Sequence, residues 1–237
     1  MDGEASHHDS FPCRNRKEVG TKMYTGGIGS GQSDDKARAF KGMAAFEPGG
    51  KGGMDDLVAG RQCGDCKICC IVPPIDEPEM QKQTNAACRH RSHTGCDIYE
   101  TRPSACRTYF CGWRRLAFLD DDWRPDRSGV LIESGTGATT GAGSLVLVLV
   151  ANPLKTVRDP RFQDFIGTGM AQKLSMFLCL PGSRGQAKAA LALNTPHLAA
   201  ARSRSQVRLA LEDVLRRLGA HDFVPYVIGH SGNDVST

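Results

Sequence analysis

The chain has few aromatic residues, no long hydrophobic run and little charge imbalance, and each absence excludes a class of protein. Aromatic residues make up 6% of the 237 residues, and the formal net charge is +4. This combination does not favour a nucleic-acid partner, which calls for a basic surface or stacking aromatics. The longest apolar run, residues 145–151, is far shorter than the roughly 20 residues of a membrane-spanning helix. We therefore expect no membrane partner.

The N-terminal region carries no recognisable targeting segment. Residues 1–56 hold nine acidic and eight basic side chains and no apolar stretch of the kind found in secretory signals. The sequence thus predicts a cytoplasmic protein, in which thiols are kept reduced. Glycine-rich runs at 26–31 and 49–53, without sustained periodicity, predict that residues 1–56 form a disordered tail.

Cysteine is the residue whose distribution is informative. Eight of the ten cysteines lie between residues 63 and 111. In a reducing compartment this density indicates metal or redox chemistry rather than disulfides. The surrounding residues are polar and often basic, so eight buried core thiols are a poor explanation. The candidate metal ligands are Cys63, Cys66, Cys69, Cys70, Cys88, Cys96, Cys106 and Cys111.

The first four cysteines form one closely spaced group. Two-residue gaps bring the sulfurs of Cys63, Cys66 and Cys69 to one side of a tight loop, where they can hold one centre. Gly64 permits the unusual backbone angles that such a loop requires. Cys70 follows Cys69 directly, so its side chain points elsewhere. We expect Cys70 to serve a second centre or to stay free.

The last four cysteines have longer, irregular separations that are typical of loops. These separations do not decide which cysteines share a metal centre. Eight thiols suffice for two four-thiolate sites, or for one site with additional structural or reactive thiols. His90 and His93 lie between Cys88 and Cys96, and we expect both outside the ligand set. The basic residues expected to offset the thiolate charge are Arg102, Arg107, Arg114 and Arg115.

These motifs resemble a known bacterial family. The runs Cys-x-x-Cys-x-x-Cys-Cys at 63–70 and Gly-Cys-x-Ile-Tyr-Glu-x-Arg-Pro-x-x-Cys-Arg-x-x-x-Cys at 95–111 are similar to those of bacterial cysteine-cluster proteins. That family is described as a zinc- or iron-chelating domain and is related to the flagellin lysine methylases. All eight expected cysteines are present, with Cys88 in the loosest match. The resemblance implies a metal centre, but it implies no substrate and no catalytic residue.

The spacing favours an iron–sulfur cluster and leaves zinc open as the alternative cofactor. Zinc ribbons usually supply two Cys-x-x-Cys pairs, whereas three cysteines with two-residue gaps are more typical of a cluster-binding loop. The loop lacks the fourth Cys-Pro of bacterial ferredoxins. The sequence does not decide whether the protein is an enzyme.

Three functions are compatible with these patterns. The leading hypothesis is a cytoplasmic metal-binding protein with redox or group-transfer chemistry on an unknown substrate. The second is a structural zinc module that presents the C-terminal part to an unknown protein or small-molecule partner. The third is a metal-free thiol–disulfide enzyme using Cys63 and Cys66, which would require a preceding strand that the sequence does not indicate.

The predicted fold class is α+β. We expect an irregular cysteine-rich metal-binding module at 57–118, followed by an α/β part at 119–237 packed on that module. Residues 119–128 are predicted to be a solvated polar loop. Predicted strands lie at 129–133, 144–151 and 174–180. Residues 187–193 are compatible with a strand or a helix, and we favour a strand.

Two helices are predicted to cover the sheet. The first begins at Pro160 after the N-cap Asp159 and ends near residue 166, because Gly167 and Gly169 weaken its continuation. The second spans residues 205–218, with Ser203 in a capping box and an apolar face. That face consists of Val207, Leu211, Val214, Leu215 and Leu218.

Overall fold

The computed structural model describes Met43, residues 57–134, residues 143–226 and Ile228. All of them belong to one compact unit, Ser33–Thr237. The tail predicted at 1–56 lies outside the described residues, except for Met43. The described part contains both helices and a mixed sheet, so the predicted α+β class is confirmed. None of its helices is long and apolar enough to cross a membrane.

The cysteine-bearing region, residues 57–118, contains short elements joined by turns. They are the antiparallel hairpin of β1 (Ile75–Glu77) and β2 (Met80–Lys82), helix α1 (Ser104–Thr108) and helix α2 (Gly112–Arg115). The Glu77 carboxylate accepts a hydrogen bond from the backbone N–H of Ala105 at 2.5 Å, which joins the hairpin to the first turn of α1. In the described residues 57–62 no strand precedes Cys63, whereas a thioredoxin-like motif would require one.

Four further strands form a mixed sheet in the order β3, β4, β5, β6. Their bounds are β3 (Val130–Ser134), β4 (Leu145–Leu149), β5 (Met176–Leu180) and β6 (Ala189–Ala192). The pairing is antiparallel, then parallel, then antiparallel. All four predicted strands are therefore confirmed. The third begins at Met176 rather than at 174, because Lys173 adopts a left-handed backbone (φ 59°) in the preceding turn.

In the described part of the chain, one further helix precedes these strands, and four more connect or follow them. They are α3 (Pro125–Ser128), α4 (Pro153–Arg158), α5 (Pro160–Ala171), α6 (Pro196–Ala200) and α7 (Arg204–Gly219). Both predicted N-caps are confirmed, since Asp159 accepts from the N–H of Arg161 and Ser203 from the N–H of Gln206. The short helices α4 and α6 were not predicted.

The predicted end of α5 near residue 166 is wrong. The helix continues past both glycines to Ala171. A Cβ added at Gly169 would collide with the sulfur of Met176 on β5. Gly169 therefore permits close approach of helix and strand, and this packing outweighs the low helix propensity of glycine.

The prediction of a solvated loop at 119–128 is also wrong in part. Residues Asp121–Trp123 form a 3-10 turn that leads into α3. The Trp123 side chain is buried and its ring lies 4.7 Å from that of Phe165. Two carboxylates nearby stay exposed, and Asp120 and Asp122 bind Arg161 at 2.6 and 3.0 Å.

The two faces of the sheet are covered by different parts of the chain. On one face, α5 and α7 contribute a large core in which Val207, Leu211, Val214 and Leu218 are buried, as predicted. On the other face, Leu131, Val146, Val148 and Cys179 pack with Val72, and Ile68 lies against them. Because Ile68 lies within the first cysteine group and Val72 follows it, the sheet supports the cysteine-bearing region.

Candidate metal centre

The nine cysteines of the described residues are free thiols. The eight predicted ligands are half-buried, whereas Cys179 on β5 is fully buried. Free, partly accessible thiols are the form that binds metals, since the thiolate is the ligand.

The first cysteine group lies on consecutive tight turns. The N–H of Cys66 donates to the carbonyl of Cys63 at 3.0 Å, and the N–H of Cys70 donates to the carbonyl of Lys67 at 3.0 Å. Gly64 adopts a left-handed backbone with φ of 53°, as the sequence suggested. These turns bring the sulfurs of residues 63, 66 and 69 to the same cavities.

Backbone contacts bring the second cysteine group onto the first. The N–H of Cys88 donates to the carbonyl of Cys70 at 2.8 Å. Arg91 and Cys96 form an isolated antiparallel bridge, which folds Cys96 back toward Cys88. These loops approach each other through backbone pairings between residues that are distant in the sequence. The spacing of the cysteines does not predict such pairings.

The last two cysteines lie on the short helices. Cys106 belongs to α1, and Cys111 is the N-cap residue of α2. Helix α2 is fixed to the sheet because Trp113 is buried in the core and a Cβ on Gly112 would lie only 2.6 Å from Ile132 on β3. The position of Cys111 is therefore set by the sheet.

Two cavities lie among the thiols. The larger has a volume of about 200 Å³ and is lined by seven of the eight, namely Cys63, Cys66, Cys69, Cys70, Cys88, Cys96 and Cys106. The smaller, of about 20 Å³, is lined by Cys63, Cys66, Cys69 and Cys111. Prolines and aliphatic and aromatic side chains complete the walls of the larger cavity.

The lining of the smaller cavity, together with the electrostatic effects of the thiols on one another, groups them into two sets. Burial raises the pKa of Cys111, and the Cys63 thiolate adds to the effect. Burial also raises the pKa of Cys106, with further contributions from Cys88, Cys70 and Cys96. We call Cys63, Cys66, Cys69 and Cys111 the Cys111 set, and Cys70, Cys88, Cys96 and Cys106 the Cys106 set.

The adjacent thiols of Cys69 and Cys70 connect the two sets. A hydrogen bond from Cys69 lowers the pKa of Cys70 to about 6. The same hydrogen bond, together with burial, raises the pKa of Cys69. Cys70 also accepts the backbone hydrogen bond from Cys88, and its thiolate contributes to the raised pKa of Cys106, so we group it with the distant cysteines.

Lys82 is a buried cation next to the Cys106 set, and nothing in the sequence marked it. Its side chain is only 6% exposed. Burial lowers the pKa of its ammonium group, while the thiolates of Cys88 and Cys70 oppose that change. The same ammonium lowers the pKa of Cys70. A fixed positive charge therefore faces a group of sulfur ligands that become negative when they bind metal.

The predicted arginines have different positions around the thiols. Arg114 places Nη1 3.7 Å from the sulfur of Cys63. Arg102 lines the larger cavity and lowers the pKa of Cys106 against burial. Arg107 lines a separate pocket that shares a wall with this cavity. Arg115 is partly buried in α2 and lines none of the described cavities around the thiols.

Asp126, at the start of α3, is a second neighbour that the sequence did not indicate. Burial raises the pKa of Cys66 to about 11, and the Asp126 carboxylate adds to that rise. Two hydrogen bonds from Arg124, each 2.7 Å long, hold the carboxylate. They lower the pKa of Asp126 although burial opposes the change. The sequence gives no signal that Asp126, which follows Pro125 in a polar segment, lies beside the thiols.

The two histidines of the region have other partners. The ring Nε2 of His90 accepts a hydrogen bond from Arg89 at 3.0 Å, and its backbone N–H donates to the sulfur of Cys88 at 3.4 Å. The carbonyl of His93 accepts a hydrogen bond from the ammonium of Lys67. Within the part of the chain that the structure describes, no three His, Cys, Asp or Glu side chains are arranged to hold a single metal ion.

Comparison of the chain with family models, with curated proteins and with solved structures finds no match.

Proposed function

We propose that this is a cytoplasmic metal-binding protein whose eight clustered cysteines hold an iron–sulfur cluster. The observation that carries the proposal is the cavity of about 200 Å³ lined by seven free thiols. Thiolates are the ligands that iron–sulfur clusters require. A cavity of this volume is suited to a polyatomic group rather than to one ion, because a single water needs only about 10–15 Å³.

The polar groups around the thiols fit a negatively charged centre. Arg114 contacts the sulfur of Cys63, and the N–H of His90 contacts the sulfur of Cys88. Lys82 adds a buried positive charge beside the Cys106 set. Such donors stabilise thiolate ligands and tune the potential of a bound cluster. When bound, the cluster would supply electron transfer.

The division into two thiol sets supports two centres. The Cys111 set lines the cavity of about 20 Å³. The Cys106 set lines the larger cavity, which Cys63, Cys66 and Cys69 also border. Each set supplies four sulfurs, the number found in ordinary cluster and zinc sites. Cys69 and Cys70 are adjacent in the chain and belong to different sets, so the two centres would be neighbours.

The test is metal and sulfide analysis of the full chain purified without oxygen. We expect iron and acid-labile sulfide in the wild type, with absorbance near 400 nm. Cys66→Ser removes one ligand of the Cys111 set and should lose about half of this absorbance. Cys179→Ala is the matched control, because Cys179 is a buried thiol on the sheet and lines neither cavity; it should retain the wild-type spectrum. A colourless wild-type protein without iron would refute the proposal.

The second candidate is a structural zinc module. It is favoured by one observation: the segment bearing the first cysteine group covers one face of the sheet through Ile68 and Val72. Metal binding to the cysteines of this segment would then fold the segment onto the sheet. In this case the protein contains zinc without sulfide, and a chelator reduces the far-ultraviolet circular dichroism. An unchanged spectrum after complete metal removal would exclude this role.

A further inference from the structure

We propose that a basic pocket beside the thiol cavity binds a small oxyanion, a phosphate or a carboxylate carried by a small molecule. The inference rests on the proposed function and deepens it, because it names the class of ligand that would lie next to the metal centre. The pocket has a volume of about 230 Å³, which suits a small molecule rather than a macromolecule.

Three guanidinium groups dominate the pocket wall. Arg89, Arg102 and Arg107 line it, together with the hydroxyl-bearing Thr101, and Glu79 is the one carboxylate among its described lining residues. Guanidinium groups present several donors in a fixed plane that matches the oxygens of a phosphate or carboxylate. The excess of positive charge favours an anion even with Glu79 present.

The guanidinium group of Arg102 is oriented by an aromatic ring and retains a donor without a partner among the described residues. Its guanidinium carbon lies 3.8 Å from the centroid of the Tyr99 ring, which fixes the plane of the group. Its Nε atom is buried and has no hydrogen-bond partner among the described residues. A buried donor without a partner is costly, and the Arg102 guanidinium, which lines the pocket, is in no ion pair among the described residues that would compete with an anion.

The pocket and the thiol cavity share a wall. Arg102, His90, Met80 and Ile98 line both. Arg107 follows the cavity-lining Cys106 directly on α1, so its side chain and a sulfur ligand are fixed by the same helix. An oxyanion bound by the arginines would therefore lie beside the Cys106 set.

Isothermal titration of the full chain with inorganic phosphate tests the proposal, with succinate as a separate arm for carboxylates. Arg107→Gln and Arg102→Gln should each weaken binding of the preferred anion by at least about tenfold, because each removes a charged donor. Arg107 is exposed, so its replacement should not affect folding. Arg208→Gln on the exposed side of α7 is the matched control and should bind like the wild type.

Metal content is measured on the same samples, so that the two proposals fail separately. Binding in a protein without metal would support the oxyanion pocket and contradict the proposed function. A metal-loaded protein that binds neither anion would overturn this inference alone. Equal affinity in the wild type, Arg107→Gln and Arg102→Gln would also overturn it, because the anion would then lie elsewhere.

Discussion

The ammonium group of Lys82 donates a hydrogen bond to the carbonyl oxygen of Ile71 at 2.9 Å. The same group donates to the carbonyls of Pro73, Gln83 and Ala86. Lys82 therefore joins the segment that follows Cys70 to the segment that precedes Cys88. One buried side chain connects two parts of the Cys106 set and places its charge beside them.

The first prediction concerns this lysine. Lys82→Met keeps the approximate length of the side chain but removes its charge and the three N–H donors that four carbonyl oxygens share. We expect the free energy of unfolding to fall by roughly 2–4 kcal/mol, because buried carbonyl oxygens lose their donor. Urea denaturation followed by circular dichroism measures the change.

Lys155→Met on α4 is the control for Lys82→Met. Lys155 is exposed, and its replacement should change stability by less than about 0.5 kcal/mol. Equal stability of Lys82→Met and the wild type would contradict the role of Lys82 as a structural connection.

The second prediction tests how the sheet positions Cys111. A Cβ at Gly112 would meet Ile132 at 2.6 Å, so Gly112→Ala should displace α2 and destabilise the protein by about 1–3 kcal/mol. Because Cys111 is the N-cap residue of α2, displacement of the helix should also move this ligand and reduce the metal content of the protein. Gly219→Ala on α7 is the control, because its added Cβ meets no atom within 4 Å among the described residues. It should be neutral or slightly stabilising.

The third prediction separates two centres from one. Cys106→Ser and Cys111→Ser each remove a ligand from a different set, so each should lose about half of the bound metal. The double variant should lose nearly all of it. Metal analysis of purified protein provides the measurement. If either single variant alone lost all the metal, the thiols would share one centre and the two-set division would be wrong.

The fourth prediction is a pH dependence of stability that arises from Cys179. Burial raises the pKa of this thiol to about 12 from an ordinary value of 9.0. Above pH 9 the unfolded thiol releases its proton while the folded thiol retains it, so stability falls as the pH rises toward 12. Below pH 9 this contribution is fully present.

Cys179→Ala removes the titrating group and isolates its effect from that of other alkaline groups. The wild type should lose stability more steeply than Cys179→Ala between pH 9 and pH 10.5, as measured by urea denaturation at each pH. Parallel losses in the two proteins would show that Cys179 titrates normally. In the folded wild type, Cys179 should also resist alkylation at pH 8, since little thiolate is present.

Local signals in the sequence predicted much of the fold. Asp159 before Pro160 and Ser203 before the α7 face are side-chain caps that act within one turn, so the sequence alone located both helix starts. The apolar character of β4 on both faces followed from its composition, and all five of its residues are buried.

The remaining features depend on contacts between distant residues. Gly169 indicated a helix end, yet its function is to admit Met176 from β5. The grouping of Cys111 with the first cysteines requires α2 to be fixed on β3, and no spacing rule contains that information. Lys82 and Asp126 gave no signal, because a lone lysine or aspartate is usually exposed. The eight candidate cysteines were identifiable from density and spacing, but not their division into sets.

X-ray absorption at the iron edge, on the full chain purified without oxygen, tests the central claim most directly. We expect iron whose nearest neighbours are sulfur atoms, about four for each iron, with a further shell of iron. Cys179→Ala should give the same spectrum, and Cys66→Ser should not. A first shell of nitrogen and oxygen ligands, or a protein without bound iron, would contradict the account.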